Sequence, residues 1–195
     1  DEISASNLVK VDLDGTIVDD PTGLGINYAG YVIHSAIHGA RHDLQAVLHT
    51  HTRDGIAVSA QKDGLLPISQ HSIGFSGRVA YHGYEGVALD LDERERLVAD
   101  VGDQRVMILR NQGLLKAGAS VEHDFQTLQP LERACNIQIA AQAGGNAELI
   151  FPPAEVVAKV EQQAKVFSSG DGPGVARHWN ALIRQLERSD TDYKN

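Results

Sequence analysis

The sequence predicts an α/β sandwich, on three observations. Short apolar runs bounded by turn residues, at 46–49, 105–109 and 114–117, have the length of buried strands rather than of helices. Segments at 27–41, 90–100 and 120–142 instead read as helices, amphipathic or framed by end signals. The two kinds interleave along the chain, the pattern of helices packed against a sheet. A chain of 195 residues can bury most of its apolar surface without disulfides or metals as staples.

Taken in order, Leu8 to Leu13 reads as a strand and Asp14-Gly15 as a hairpin turn, with Thr16 to Val18 returning. Pro21 to Gly25 is a loop. Asn27, a good capping residue, opens a helix that runs to about Arg41. Ala46 to His49 is a short buried strand, Arg53 to Ala60 a small helix, and Leu65 to Ile68 a strand-like run. The string FSGRVAYHGYEG is rich in turn residues and aromatics, so it reads as a loop. Asp90 to Asp100 is a charged helix, Arg105 to Leu109 a buried strand, and Asn111-Gln112-Gly113 a turn into a strand at Leu114 to Ala117. Ser120 caps a long helix that Gly144-Gly145 ends. Pro152-Pro153 starts another helix to about Phe167, SSGDGPG is a loop, and Val175 to Arg188 is the last helix.

Composition removes several function classes. A net charge of −9 argues against nucleic acid as a partner, because phosphate contact needs a basic face. No apolar run reaches the roughly 18–20 residues that span a bilayer. Cys135 is the single cysteine, which excludes an internal disulfide and fits a reducing, cytoplasmic setting. Asp1 is followed at once by a polar stretch and a strand, with neither methionine nor signal pattern, so further residues are expected upstream.

Three constellations compete for chemistry. His49-Thr50-His51 ends a buried strand, and side chains of period two put both imidazoles on one side. Two neutral nitrogen donors side by side suit a divalent transition metal, while two hydrogen-bonded strand-end histidines are the plainer alternative. VKVDLDGTIVDD is similar to the nucleophile motif of haloacid dehalogenase-type phosphatases, with Asp12 attacking, Asp14 as acid/base and Asp171 as the candidate further metal ligand. The same string is equally a hairpin with an Asp-Gly turn. His34, His38 and His42 recur at i, i+4, i+8 on one helix face, where one packed and two solvated histidines are the favoured reading. Among single residues, Arg110 reads as a surface or interface pair and Tyr81, His82 and Tyr84 as interface packing. Glu132-Arg133 reads as an ion pair and Cys135 as core packing.

INYAGYVIHSAIHGARHDLQAVLHTHTRDGIAVSAQKDGLLPIS, then VAYHGYEG, VMILRNQGL and ERACNIQIAAQAGG, closely resemble the class II aldolase/adducin family. The likeness is to the adducin head domain and its bacterial relatives, and it spans residues 5 to 145. The resemblance implies a three-layer α/β/α sandwich with a central mixed, largely antiparallel sheet. It implies a family domain over 1–150, lacking its N-terminal part, and a helical extension over 151–195. In the family's aldolases, the H-x-H histidines and a third from an N-x-G turn bind zinc, which polarises a substrate carbonyl. Carried over, His49 and His51 match two ligands, and the third falls on Gln112, an amide. The proton-shuttling glutamate falls on Gly30, its preceding phosphate-binding serines on Tyr28 and Ala29, and the assisting tyrosine near His71, which could serve as the acid/base. The resemblance therefore implies a metal-dependent lyase for a small carbonyl or hydroxy-acid substrate, with zinc, iron or manganese and a tetrameric homo-oligomer. A non-catalytic, adducin-like assembly module is its alternative.

Overall fold

A computed structural model describes residues 3–88, 91–145, 148–168, 173–189 and 191–194. The chain opens with a small hairpin, β1 (Lys10–Val11) and β2 (Ile17–Asp19), paired antiparallel. The Asp12 carboxylate holds its turn, with Oδ1 accepting from the Asp14 and Thr16 amides at 3.0 and 2.8 Å. Asp12 therefore caps the turn, as the hairpin reading of the aspartate string expects. Asp171, the other residue of the phosphatase reading, lies outside the described residues.

A second sheet of four strands has the order β3-β6-β5-β4. These strands are β3 (Ala46–Thr50), β4 (Val79–His82), β5 (Val106–Leu109) and β6 (Gly113–Gly118). β6 runs antiparallel to both β3 and β5, whereas β4 runs parallel to β5. The sheet is thus mixed and largely antiparallel, as expected.

Each face of the sheet carries its own core, because alternate side chains point to opposite faces. On one face, Val32, Ile33, Ala36 and Ile37 of α1 (Tyr28–Ala40), with Leu97 and Val101 of α4 (Glu93–Val101), pack on Val47, Met107, Leu109, Leu115 and Ala117. On the other, Val58 of α2 (Arg53–Ser59) and Leu128, Leu131 and Cys135 of α5 (Val121–Gln142) pack on Val106, Ile108 and Leu114. The result is the three-layer α/β/α sandwich. Among the described residues, α3 (Gln70–Ile73) and α6 (Ala154–Ser168) touch each other, and α7 (Pro173–Ser189) packs on α5.

Capping follows the sequence closely. The Asn27 side chain accepts from the Ala29 and Gly30 amides, and the Ser120 hydroxyl from the His123 amide. Three expectations need correction. Leu65 to Ile68 is not a strand: the Leu65 amide donates to the Tyr81 hydroxyl and the Leu66 amide to Gln138 Oε1, so tertiary partners replace a ladder. The aromatic string holds β4, whose Val79-Ala80-Tyr81-His82 alternation is hidden among glycines. The charged helix starts at Glu93; Asp90 lies outside the described residues.

Candidate metal centre at the tip of β3

Strand β3 delivers the H-x-H pair to one side of the sheet. The Cα of His49 pairs with that of Leu115, whose side chain belongs to the α1 face. One residue beyond the strand, His51 points the same way, and its ring meets that of His49 edge-on, 4.6 Å between centroids. The two Nε2 atoms lie 2.8 Å apart. His49 Nδ1 lies 2.9 Å from the Leu114 carbonyl, which can only accept, so Nδ1 carries the proton and Nε2 offers its lone pair. The His51 Nε2–H then donates to that lone pair. Burial holds His49 down to about 4, helped by the neighbouring His51 and His34 rings and opposed by the Leu114 bond. The ring is therefore neutral at ordinary pH, as a ligand must be.

The turn that should bring a third donor lies beside this pair. Asn111 adopts a left-handed conformation, φ 57°, and the Gln112 amide donates to the Leu109 carbonyl at 3.1 Å. Gly113 follows under close steric limits. A Cβ there would sit 2.1 Å from the Thr50 carbonyl oxygen and 3.5 Å from the His51 Cα. The backbone of the N-x-G turn thus runs against the H-x-H segment, with Gln112 adjacent.

For the metal that such a pair suggests, the donor set fits in two parts of three. The two imidazoles converge, and one is anchored from behind by a carbonyl, as metal-binding histidines usually are. Among the described residues no cluster of three His, Cys, Asp or Glu side chains surrounds a common point. A third protein ligand would have to be the neutral amide of Gln112. His34 approaches His49 only electrostatically, and burial lowers its own basicity. His38 contacts the Leu44 carbonyl through Nδ1 at 3.3 Å, so the i, i+4, i+8 histidines are not gathered on one ion.

His71 lies elsewhere in the chain. It sits exposed on α3 and lines a cleft shared with Lys116 and His123, on the α5 face of the sheet. Within one chain it is not brought together with His49 and His51. Gly30 stands in the first turn of α1, where a Cβ would have only Asn27 Cβ at 4.0 Å as a neighbour. That position has room for a side chain but holds no carboxylate.

Other single residues also move from their expected roles. Within the chain Tyr81 is half-buried and His82 is buried. The Arg110 guanidinium lies over the Tyr81 ring at 4.3 Å and donates to the Gln61 carbonyl. Buried His82 is held between Asp100 Oδ2 at 2.7 Å and Glu93 Oε1 at 3.3 Å. Glu132 accepts from the hydroxyl of Thr52, the residue just before α2, rather than pairing with Arg133. Cys135 is fully buried, and burial pushes its thiol up to about 12, so it packs as expected. Sequence reasoning passed over Lys116, which is 2% exposed in the middle of β6. A lysine inside the run GLLKAG was the available signal, since a buried lysine needs a partner. Among the described residues no helix is long and apolar enough to cross a membrane.

Comparison with known proteins agrees with this fold. Residues 1–139 match the Class II Aldolase and Adducin N-terminal domain. A Pseudomonas aeruginosa protein bearing the family name aldolase class 2 is 48% identical over 99% of this chain and 74% of its own. Rat alpha-adducin is 42% identical over 95% of this chain, which spans only 26% of that protein. Among solved structures, an aldolase II superfamily protein from Pseudomonas syringae is 82% identical. It has a TM-score of 0.94 and covers all of this chain and 77% of its own. An L-fuculose 1-phosphate aldolase from Glaciozyma antarctica is 25% identical with a TM-score of 0.77, over 100% of this chain and 73% of its own.

Proposed function

Because this chain belongs to the class II aldolase and adducin family, we propose that it is a metal-dependent lyase of the class II aldolase type. Its substrate is a small carbonyl or hydroxy-acid compound. The reading rests on one observation above all: two imidazole Nε2 atoms 2.8 Å apart, one of them fixed in the ligand tautomer by the Leu114 carbonyl. His49 and His51 would hold the ion, with the Gln112 carbonyl oxygen as third donor. Zinc is the first choice for nitrogen ligands, and iron or manganese tolerate the oxygen donor well. A divalent ion there supplies Lewis acidity to a substrate carbonyl.

The chain's own residues do the rest. Leu114 orients His49, and the close contact of Gly113 with Thr50 keeps the Gln112 turn against the pair. Gly30 carries no proton, so proton transfer at carbon lacks the side chain that family aldolases use. Loss of a general base costs about 10²–10⁴-fold in rate. His71 serves as acid/base only if it reaches a histidine pair from another copy of the chain. The proposal therefore includes a homo-oligomer, in a cytoplasmic setting, and light scattering on purified protein should read a multiple of the chain mass.

Metal analysis tests the reading directly. About one divalent ion per chain is expected, lost in His49→Ala, together with slow retro-aldol cleavage of a small hydroxy-carbonyl substrate. Purified protein with no affinity for Zn²⁺, Mn²⁺ or Fe²⁺ would sink it. A second reading, a non-catalytic assembly module, is favoured by Gly30 and by the alpha-adducin likeness. Gln112→His separates residue mapping from chemistry. It should tighten metal binding under either reading, but only the lyase reading expects turnover to rise with it.

A further inference from the structure

Behind the H-x-H segment, on the α5 face, lies a pocket of about 450 Å³. Thr50 and Thr52 line it at the strand end, with Phe125, Leu128, Glu132 and Arg133 of α5. Its lining includes neither histidine of the pair and shares no residue with the cleft of His71 and Lys116. Thr50 alternates with His49 along the strand, so it faces the other way. Its Cα pairs with that of Leu114, whose side chain belongs to the α5 core. The pocket has the size that small-molecule sites commonly have.

Three charged side chains line the pocket among the described residues: Asp54, Glu132 and Arg133. Asp54 is committed, accepting from Arg53 Nε at 2.8 Å and from the Asn136 amide at 2.6 Å. Glu132 is half-buried and accepts one bond, at Oε2 from the Thr52 hydroxyl at 2.5 Å, which leaves Oε1 open among the described residues. Arg133 is exposed and makes no ion pair among the described residues, though a guanidinium carries five N–H groups. Glu132 and Arg133 thus bear opposite charges in one pocket without pairing. Successive helix positions point away from each other, so the two do not close on one another. The Glu132 charge is felt in the wall. After burial itself, it is the next cause, ahead of Asp54, that pushes the Cys135 thiol up to about 12. Thr50 Oγ1 is buried and has no hydrogen-bond partner among the described residues, a vacancy that a ligand or a bound water would fill. The pocket also has an apolar part, Leu128 and Phe125, and Phe125 remains 40% exposed beside the Trp179 ring.

We propose that this pocket binds a free α-amino acid with an apolar side chain. Glu132 takes its ammonium, Arg133 its carboxylate, and Phe125 and Leu128 seat the side chain. An α-amino acid carries both charges on one carbon, so it answers both uncommitted groups at once. An amine alone leaves the guanidinium unanswered, and a carboxylic acid alone leaves Glu132 unanswered. The planar guanidinium fork also matches a carboxylate in geometry. The site does not depend on a metal at the histidine pair.

Calorimetry with the intact chain tests the site, using L-leucine, isocaproate and isoamylamine as probes. The second is leucine without its ammonium, and the third is leucine without its carboxylate. Leucine should bind about ten-fold or more tighter than either, because only it uses both charged groups. Arg133→Gln should weaken leucine about ten-fold and leave isoamylamine unchanged. Glu132→Gln should weaken leucine likewise and leave isocaproate unchanged. Its amide oxygen still accepts from Thr52, so the contact with the start of α2 is kept. Both variants are checked for native circular dichroism, and His49→Ala should bind leucine as the parent does. Any of four results would overturn the proposal: no binding of leucine at millimolar concentration, an analogue as tight as leucine, leucine affinity kept in either α5 variant, or affinity lost in His49→Ala.

Discussion

At the scale of single residues, His49 is the most informative side chain. Its Nδ1–H bond to Leu114 and its burial fix a neutral ring with an open Nε2. Imidazole nitrogen NMR on metal-free protein should show the Nδ1–H tautomer at neutral pH and a titration midpoint near 4. The folded ring refuses a proton that the unfolded one takes near its ordinary 6.5. Stability should therefore be full above about pH 6.5 and decline as pH falls toward 4. His49→Gln should remove that part of the slope, and an unchanged slope would contradict the burial argument. Gly113 gives a second test. A methyl group 2.1 Å from the Thr50 oxygen cannot be accommodated without moving β6 off the H-x-H segment. Gly113→Ala should cost about 3 kcal/mol or more in denaturant unfolding and weaken metal binding as well.

At the scale of elements, the ends of helices and the β6–α5 contact carry the predictions. Ser120→Ala removes the cap on α5 and should cost about 1 kcal/mol. The buried Lys116–Asp124 pair is a different case. Lys116→Met leaves a fully buried carboxylate with neither cation nor enough donors, and should cost about 3–5 kcal/mol. Replacing both, Lys116→Met with Asp124→Leu, should recover most of that loss, because the desolvation penalty goes with the charges. A double variant no more stable than the single one would show that the pair is worth more than its burial costs. Most elements were legible from sequence because their signals are local. Asn27 and Ser120 announce helices through backbone amides two and three residues away, and Asp14-Gly15 announces a hairpin. The failures have a physical reason too. Leu65 to Ile68 looked like a strand because its apolar content is strand-like, but its amides are satisfied by Tyr81 and Gln138, 16 and 72 residues away.

At the scale of the whole molecule, two cores back the two faces of one mixed sheet. The histidine pair sits at the tip of β3 on the α1 face, the cationic cleft on the α5 face. This separation predicts that metal binding at the pair is insensitive to changes on the α5 face. Under the metal reading, Zn²⁺ at a hundred times its dissociation constant should raise stability by about 2.7 kcal/mol. The gain should be absent from the His49→Ala, His51→Ala double variant and undiminished in Arg105→Ala. A thermal shift lost in the arginine variant would mean that the two faces of the sheet communicate.

The sequence by itself determined the class of fold, the order of nearly all its elements and the H-x-H pair, because periodicity, caps and turns act over a few residues. Set beside the family resemblance, it also points to departures at Gly30 and Gln112, which are matters of residue identity. Only tertiary structure decided that His49 is held from behind by Leu114, that His71 lies apart from it in the same chain, and that Lys116 is buried with Arg78 and Arg105 nearby. Those facts depend on strand register and on which face of the sheet each helix covers. They arise from contacts between residues dozens of positions apart, which no local pattern encodes.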